Sequence, residues 1–373
     1  MDTFRCIHAS RLLLDHQLHV AGEFEPAVRK IVEDAALTAF DRVIDEALLR
    51  EVDCLLISGD CFDPGDGGLR GPAALVRGIG RLAERDTAVI VHSSPHLWSN
   101  WPAGLRWPPH AHRLGIGFET SVSITREGKL LATISADGHG DRHAGWQIRL
   151  AEAADEGRTF HLTDDPGPLQ GLRADETGPH GCSLIEIDPA TGPRQTRVPV
   201  APVRWEHCAA AVATDSTRDD LLQELASQLE QFPRYTGEEV RLVTWTVSGY
   251  GPLWERLAQP GFQNDFLDEL TLLNPLSGVT VQTHALQLHA APGSHWPHST
   301  TEDLGADFAV RLDERFARHD SPWREYLADS ALHDGPWEVK FETLSGELDA
   351  GELAYDARRL AMHWFAAQEE LSS

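Results

Sequence analysis

The chain has 373 residues, 41% of them apolar and 24% charged, a globular composition too long for one ordinary core and best divided into two or more domains. Its 58 acidic against 32 basic residues leave a net charge of −26. That excess argues against strong, sequence-independent DNA binding by the free chain, because neutralising phosphates needs a basic face and no run of Lys and Arg stands out to form one.

In chain order, Phe4 to Ala9 forms a short apolar run suited to a buried strand. Residues 24 to 50 repeat apolar groups at helical spacing, through Val28, Ile31, Val32, Ala35, Ala39, Val43, Ile44, Ala47 and Leu48. Cys54 to Ser58 is a second strand, ending in Gly59-Asp60; a helix follows over about 71 to 84, then a strand from Thr87 to Val91. Strands alternating with helices predict parallel pairing through right-handed crossovers. In such sheets chemistry gathers at the carboxyl ends of the strands, here near Ala9 to Arg11, Gly59-Asp60 and His92 to His96.

From residue 118 the pattern turns to alternation. Ser121 to Thr125 and Leu130 to Ser135 flank Arg126-Glu127-Gly128-Lys129, a hairpin signature, and further strands are expected at 159–162, 183–187 and 196–200. Val198 to Val203 holds two prolines and reads as a connector. Beyond it a strand, a helix, a strand, two helical pieces and a strand predict a small α+β cap, and residues 300 to 371 read as mostly helical or irregular. The expected division is residues 1–203, 204–293 and 294–373.

The five cysteines include no CxxC pair and read as reduced core thiols. The amino terminus lacks a basic segment ahead of an apolar one, and no apolar run reaches the ~20 residues of a membrane span. A cytoplasmic protein without membrane contact is the expectation.

Several segments together resemble the Mre11/SbcD-like DNA repair exonucleases, within the calcineurin-like metallophosphoesterases. Ile7 to Asp15 resembles the family's opening Asp-x-His motif, and Gly59-Asp60-Cys61-Phe62-Asp63 its Gly-Asp-x-x-Asp motif. Ser94-Pro95-His96-Leu97 falls where Gly-Asn-His-Asp belongs, followed by Trp101-Pro102 and Leu105-Arg106-Trp107-Pro108. Residues 166–171 and 176–182 resemble the segment after the last metal motif, and Pro202-Val203-Arg204-Trp205 the junction with the cap. The resemblance covers about residues 4 to 290 and implies an α/β, four-layer α-β-β-α metallophosphoesterase sandwich with the small α+β cap.

The family's chemistry uses two divalent metals, commonly manganese, held by Asp, His and Asn so that a bridging hydroxide attacks a phosphodiester. On that pattern Asp60 stands at the bridging ligand position and His96 at the catalytic histidine. Arg11 replaces the first Asp, Leu13 the first His, Pro95 the Asn, and Leu97 the Asp that follows. Leu150 and Glu152 occupy the places of the closing histidines, and His139 either matches the isolated histidine ligand or sits on an exposed loop. A guanidinium beside Asp60 would repel a dication while pairing with the carboxylate, so Arg11 is expected to replace the metal as charge partner of Asp60.

Other constellations are weaker: His110 and His112, or Asp137, His139, Asp141 and His143, are expected by chance among 19 histidines. No phosphate loop, dinucleotide fingerprint or nucleophile elbow appears. The resemblance implies a non-catalytic protein, scaffold or regulatory subunit of a DNA repair complex, with a Rad50/SbcC-like ATPase as partner and a homodimer as a further option. DNA would be touched weakly or through the complex, and no cofactor is expected. One alternative is an active manganese-dependent phosphodiesterase using Asp60, Asp63, His96 and His139. Another is a nucleotide- or peptide-binding module.

Overall fold

A computed structural model describes residues 3–20, 24–62, 68–136, 146–150, 159–163, 165–272, 276 and 278–290. The chain opens with β1 (Phe4–Ser10), α1 (Pro26–Glu33), α2 (Ala35–Leu49), β2 (Cys54–Ser58), α3 (Arg70–Ala83) and β3 (Ala88–His92). A short α4 (Pro95–Ser99) and β4 (Ala111–Arg113) follow, then β5 (Ser121–Arg126), β6 (Lys129–Ala136), β7 (Trp146–Leu150) and β8 (Thr159–Leu162). Next come β9 (Gly181–Asp188), β10 (Gly192–Pro199), β11 (Val203–Val212), α5 (Arg218–Gln231) and β12 (Val240–Gly249). The described part ends with α6 (Pro252–Leu257), α7 (Pro260–Leu272) and β13 (Thr280–Ala290).

The expected α/β architecture is present. A six-stranded mixed sheet runs β10-β9-β1-β2-β3-β4, with β1, β2, β3 and β4 parallel and β9 and β10 antiparallel. Alternation along its strands feeds two cores. Ile7, Ala9, Leu55, Ile57, Val89 and Val91 point to one face and pack with Phe40, Val43 and Ile44 of α2 and Leu75, Ile79 and Leu82 of α3. Phe4, Cys6, Leu56, Ile90, Ile185 and Ile187 point to the other, against Val122, Ile124, Ile134, Trp146 and Ile148 of the antiparallel sheet β5-β6-β7-β8. Burial on both faces explains why β2 and β3 read as nearly continuous apolar runs. The described layers are therefore helix, sheet and sheet.

The single helix expected over 24 to 50 is two helices, because Asp34 leaves the helical path (φ −98°, ψ 3°) and its amide bonds back to Lys30 and Val32. At the crossing of α2 and α3, a Cβ on Gly78 would lie 2.6 Å from the Phe40 ring, so only glycine lets the helices approach this closely. All five cysteines are free and buried, as core thiols should be.

The described residues form two compact units, one drawing on those within 1–208, 222–245 and 265–286, the other on those within 209–221, 246–264 and 287–290. Strands β11, β12 and β13 pair in that order. Within the first unit, Val203, Trp205, Val240 and Leu242 of this sheet pack against Leu18, Phe24, Val28 and Val32. The same strands bury a charge network: Arg204 pairs with Glu206, and Arg241 donates to both oxygens of Glu238 at 2.7 and 3.0 Å. The expected C-terminal extension, 294–373, lies outside the described residues. Among the described residues no helix is long and apolar enough to cross a membrane.

Candidate functional site

Parallel register places Ser10 opposite Ser58, and Ser58 opposite His92, so the carboxyl ends of β1, β2 and β3 form one mouth. The segments leaving β1 and β2 then run side by side. The amide of Arg11 donates to the Ser58 carbonyl at 2.9 Å, Leu13 to Asp60 at 3.4 Å and Leu14 to Cys61 at 2.9 Å. Gly59 takes a left-handed φ of +75°, and a Cβ there would come within 3.2 Å of the Arg11 side chain. Arg11 and Leu13 are themselves left-handed, at φ 45° and 47°, a conformation costing about 1–2 kcal/mol for a residue with a Cβ. Such strain persists only where surrounding structure imposes it.

The neighbouring segment 165–168 supplies the mouth's best-held carboxylate. A parallel bridge between Ser10 and Pro168 draws this segment alongside the end of β1. The Ser10 hydroxyl lies 2.8 Å from Asp165 Oδ1 and 2.8 Å from the Gly167 carbonyl, and the Gly167 amide donates to Asp165 Oδ1 at 2.9 Å. Arg11 Nη2 meets Asp165 Oδ2 at 3.5 Å. Burial acts to raise the Asp165 pKa, but the Gly167 amide, the Ser10 hydroxyl and the cationic Arg11 together hold it below the usual carboxylate value.

Arg11 was expected beside Asp60. Among the described residues its ion pair is with Asp165, whereas Asp60 Oδ1 accepts from the Ser94 hydroxyl at 3.2 Å. The left-handed turn at Arg11, with the Ser10–Pro168 bridge, decides which carboxylate the guanidinium meets. The remaining positions are spread over different environments. Leu13 packs against the apolar cluster of Leu18, Phe24 and Val28, and Leu150 is buried between the two sheets. Pro95 is exposed at the start of α4. His96 is exposed on α4, its Nδ1 accepting from Asn100 Nδ2 at 3.1 Å. Asp63, His139 and Glu152 lie outside the described residues.

Sequence reasoning named the neighbourhoods of His8 and His92 but gave neither residue a role. His8 Nε2 and Ser58 Oγ share a 2.7 Å hydrogen bond, and both imidazoles stand edge-on to Trp146, at 5.7 and 5.3 Å. Burial pushes the His92 pKa down, which favours its neutral form. The signal for these residues was their alternation phase: His8 and Ser10 continue the face of Phe4 and Cys6, pointing between the sheets.

Among the described residues no group of three or more His, Cys, Asp or Glu side chains converges as a metal site. On the alignment that the resemblance implies, the residues at positions 11, 13 and 95 are the ones that do not suit a pair of divalent cations. By that alignment Arg11 would take the place of a carboxylate ligand, and leucine and proline side chains offer no donor atom.

No protein-family model matches the chain. It is similar to the uncharacterized metallophosphoesterase YhaO of Bacillus subtilis (strain 168), with 26% identity over 177 residues, 47% of this chain and 41% of that relative. The aligned stretch thus spans less than half of the relative's length. Likeness to a metallophosphoesterase, and so to the calcineurin-like superfamily, agrees with the α/β sandwich and the order of motifs along the chain.

Proposed function

We propose that the chain is a non-catalytic relative of the Mre11/SbcD-like phosphoesterases, serving as scaffold or regulatory subunit of a DNA repair complex with a Rad50/SbcC-like ATPase. The observation supporting the non-catalytic reading is the ion pair of Arg11 with Asp165 at the mouth of β1. A fixed cation there opposes the approach of a second one, and Leu13 at the companion position is committed to apolar packing. The complex and its partner rest on the resemblance of motifs. A net charge of −26 suits a protein partner better than unaided DNA capture.

Metal analysis of the purified chain, with hydrolysis of bis-p-nitrophenyl phosphate and of linear DNA in manganese buffer, tests the non-catalytic reading. The expected result is substoichiometric manganese and no manganese-dependent hydrolysis above the buffer rate. Two manganese ions per chain, lost on Asp60→Ala together with hydrolysis, would establish the active phosphodiesterase instead. Co-purification with a coiled-coil ATPase from the source cells tests the partner.

A further inference from the structure

The strongest unassigned feature lies beyond the mouth, between α4 and β5. Although 58 of the 373 residues are acidic, no carboxylate side chain occurs between Asp86 and Glu119. That stretch instead carries Arg106, Arg113 and three of the eleven tryptophans, Trp98, Trp101 and Trp107. The structure gathers the three tryptophans and Arg113. Trp107 meets Trp98 edge-to-face at 5.1 Å and Trp101 at 5.0 Å. The indole N–H of Trp101 donates to the Leu105 carbonyl at 2.6 Å and that of Trp107 to the Ala111 carbonyl at 2.7 Å, which locks both rings.

Into this frame β4 delivers Arg113. Its guanidinium carbon lies 5.0 Å from the Trp98 ring centre, 4.8 Å from Trp107 and 5.5 Å from Phe118. Among the described residues no carboxylate pairs with it, and its buried Nε has no hydrogen-bond partner. Burial draws its pKa down from the ordinary arginine value. At the rim Phe118 is 39% exposed and Ile116 66% exposed. The nearest carboxylate in sequence, Glu119, is engaged by His112 at 3.1 Å.

We propose that this surface docks an acidic segment of a partner protein, a carboxylate meeting Arg113 and Arg106 while a large apolar side chain settles against Ile116 and Phe118. The proposal gives the scaffold reading above its partner-facing side, and rests on it. Charge selects the occupant: an aromatic patch built from an acid-free stretch, with Arg113 framed by rings and Arg106 exposed, recruits negative charge locally on a strongly acidic chain that repels it elsewhere. Rings and arginine are the groups that dominate protein interface energetics. Two guanidinium groups are too few for affinity through phosphate neutralisation, whereas exposed Ile116 and Phe118 are suited to apolar anchors.

The test is selection of a phage-displayed random dodecapeptide library on the full chain, counter-selected on Ile116→Asp. Selected peptides should combine Asp or Glu with Trp, Phe or Leu. A synthetic peptide of the selected sequence, measured by calorimetry, should lose at least tenfold in affinity to Ile116→Asp, to Arg106→Glu and to Arg113→Gln. Both Ile116 and Arg106 are exposed, so those variants keep the fold if Arg113→Gln does not. Peptides without acidic bias, or retained equally by Ile116→Asp, overturn the proposal. So does oligothymidylate binding that Arg106→Glu abolishes while no peptide binds. Manganese-dependent hydrolysis alone would remove the non-catalytic reading and leave the docking result standing.

Discussion

Asp165 collects an amide, a hydroxyl and a guanidinium on one carboxylate, and its lowered pKa ties folding to pH. Because the folded value lies below the unfolded one, the stabilisation is present above the ordinary carboxylate value and is lost as pH falls through the folded value. Asp165→Asn is therefore expected to be less stable than wild type at neutral pH, with the difference shrinking in acid; urea unfolding at stepped pH measures it. Glu238 and Arg241 form a bidentate pair with side chains 2% and 0% exposed. Glu238→Ala strands the guanidinium without its carboxylate and is expected to cost about 3–5 kcal/mol, read from denaturant midpoints. The pairing of Arg11 with Asp165 was not legible beforehand, because the two lie far apart in sequence and the tertiary path between them chooses the partner.

Among elements, β1 to β3, α2 and α3 were legible because their faces differ in polarity at the periods of strand and helix. The break at Asp34 was not, since apolar spacing continues through α1 into α2 and only the local backbone turns. The helix α4 and strand β4 were also missed; five and three residues are too few for a periodic signal, and β4 forms by pairing with β3. The close approach of α2 and α3 leads to a direct prediction. Gly78→Val would drive a side chain into Phe40 and Ile44, and is expected to lose about 1–3 kcal/mol, seen as a lower thermal midpoint by circular dichroism.

Over the whole molecule, the surplus of carboxylates acts against compaction through self-repulsion. Raising ionic strength from ~0.01 to ~0.15 M shortens the screening length from roughly 30 to roughly 8 Å and should raise the thermal midpoint. A midpoint unchanged or lowered by sodium chloride, in a scanning calorimeter, would count against that view. The α/β class, the parallel order of the leading strands and the location of the mouth were determined by sequence alone, because burial writes itself into local polarity and strand ends follow from the connections. What only the tertiary structure decided was the company individual residues keep: Arg11 with Asp165, Leu13 in an apolar cluster, Arg113 among three rings. Such contacts join segments remote in sequence and depend on loop paths that local periodicity does not encode.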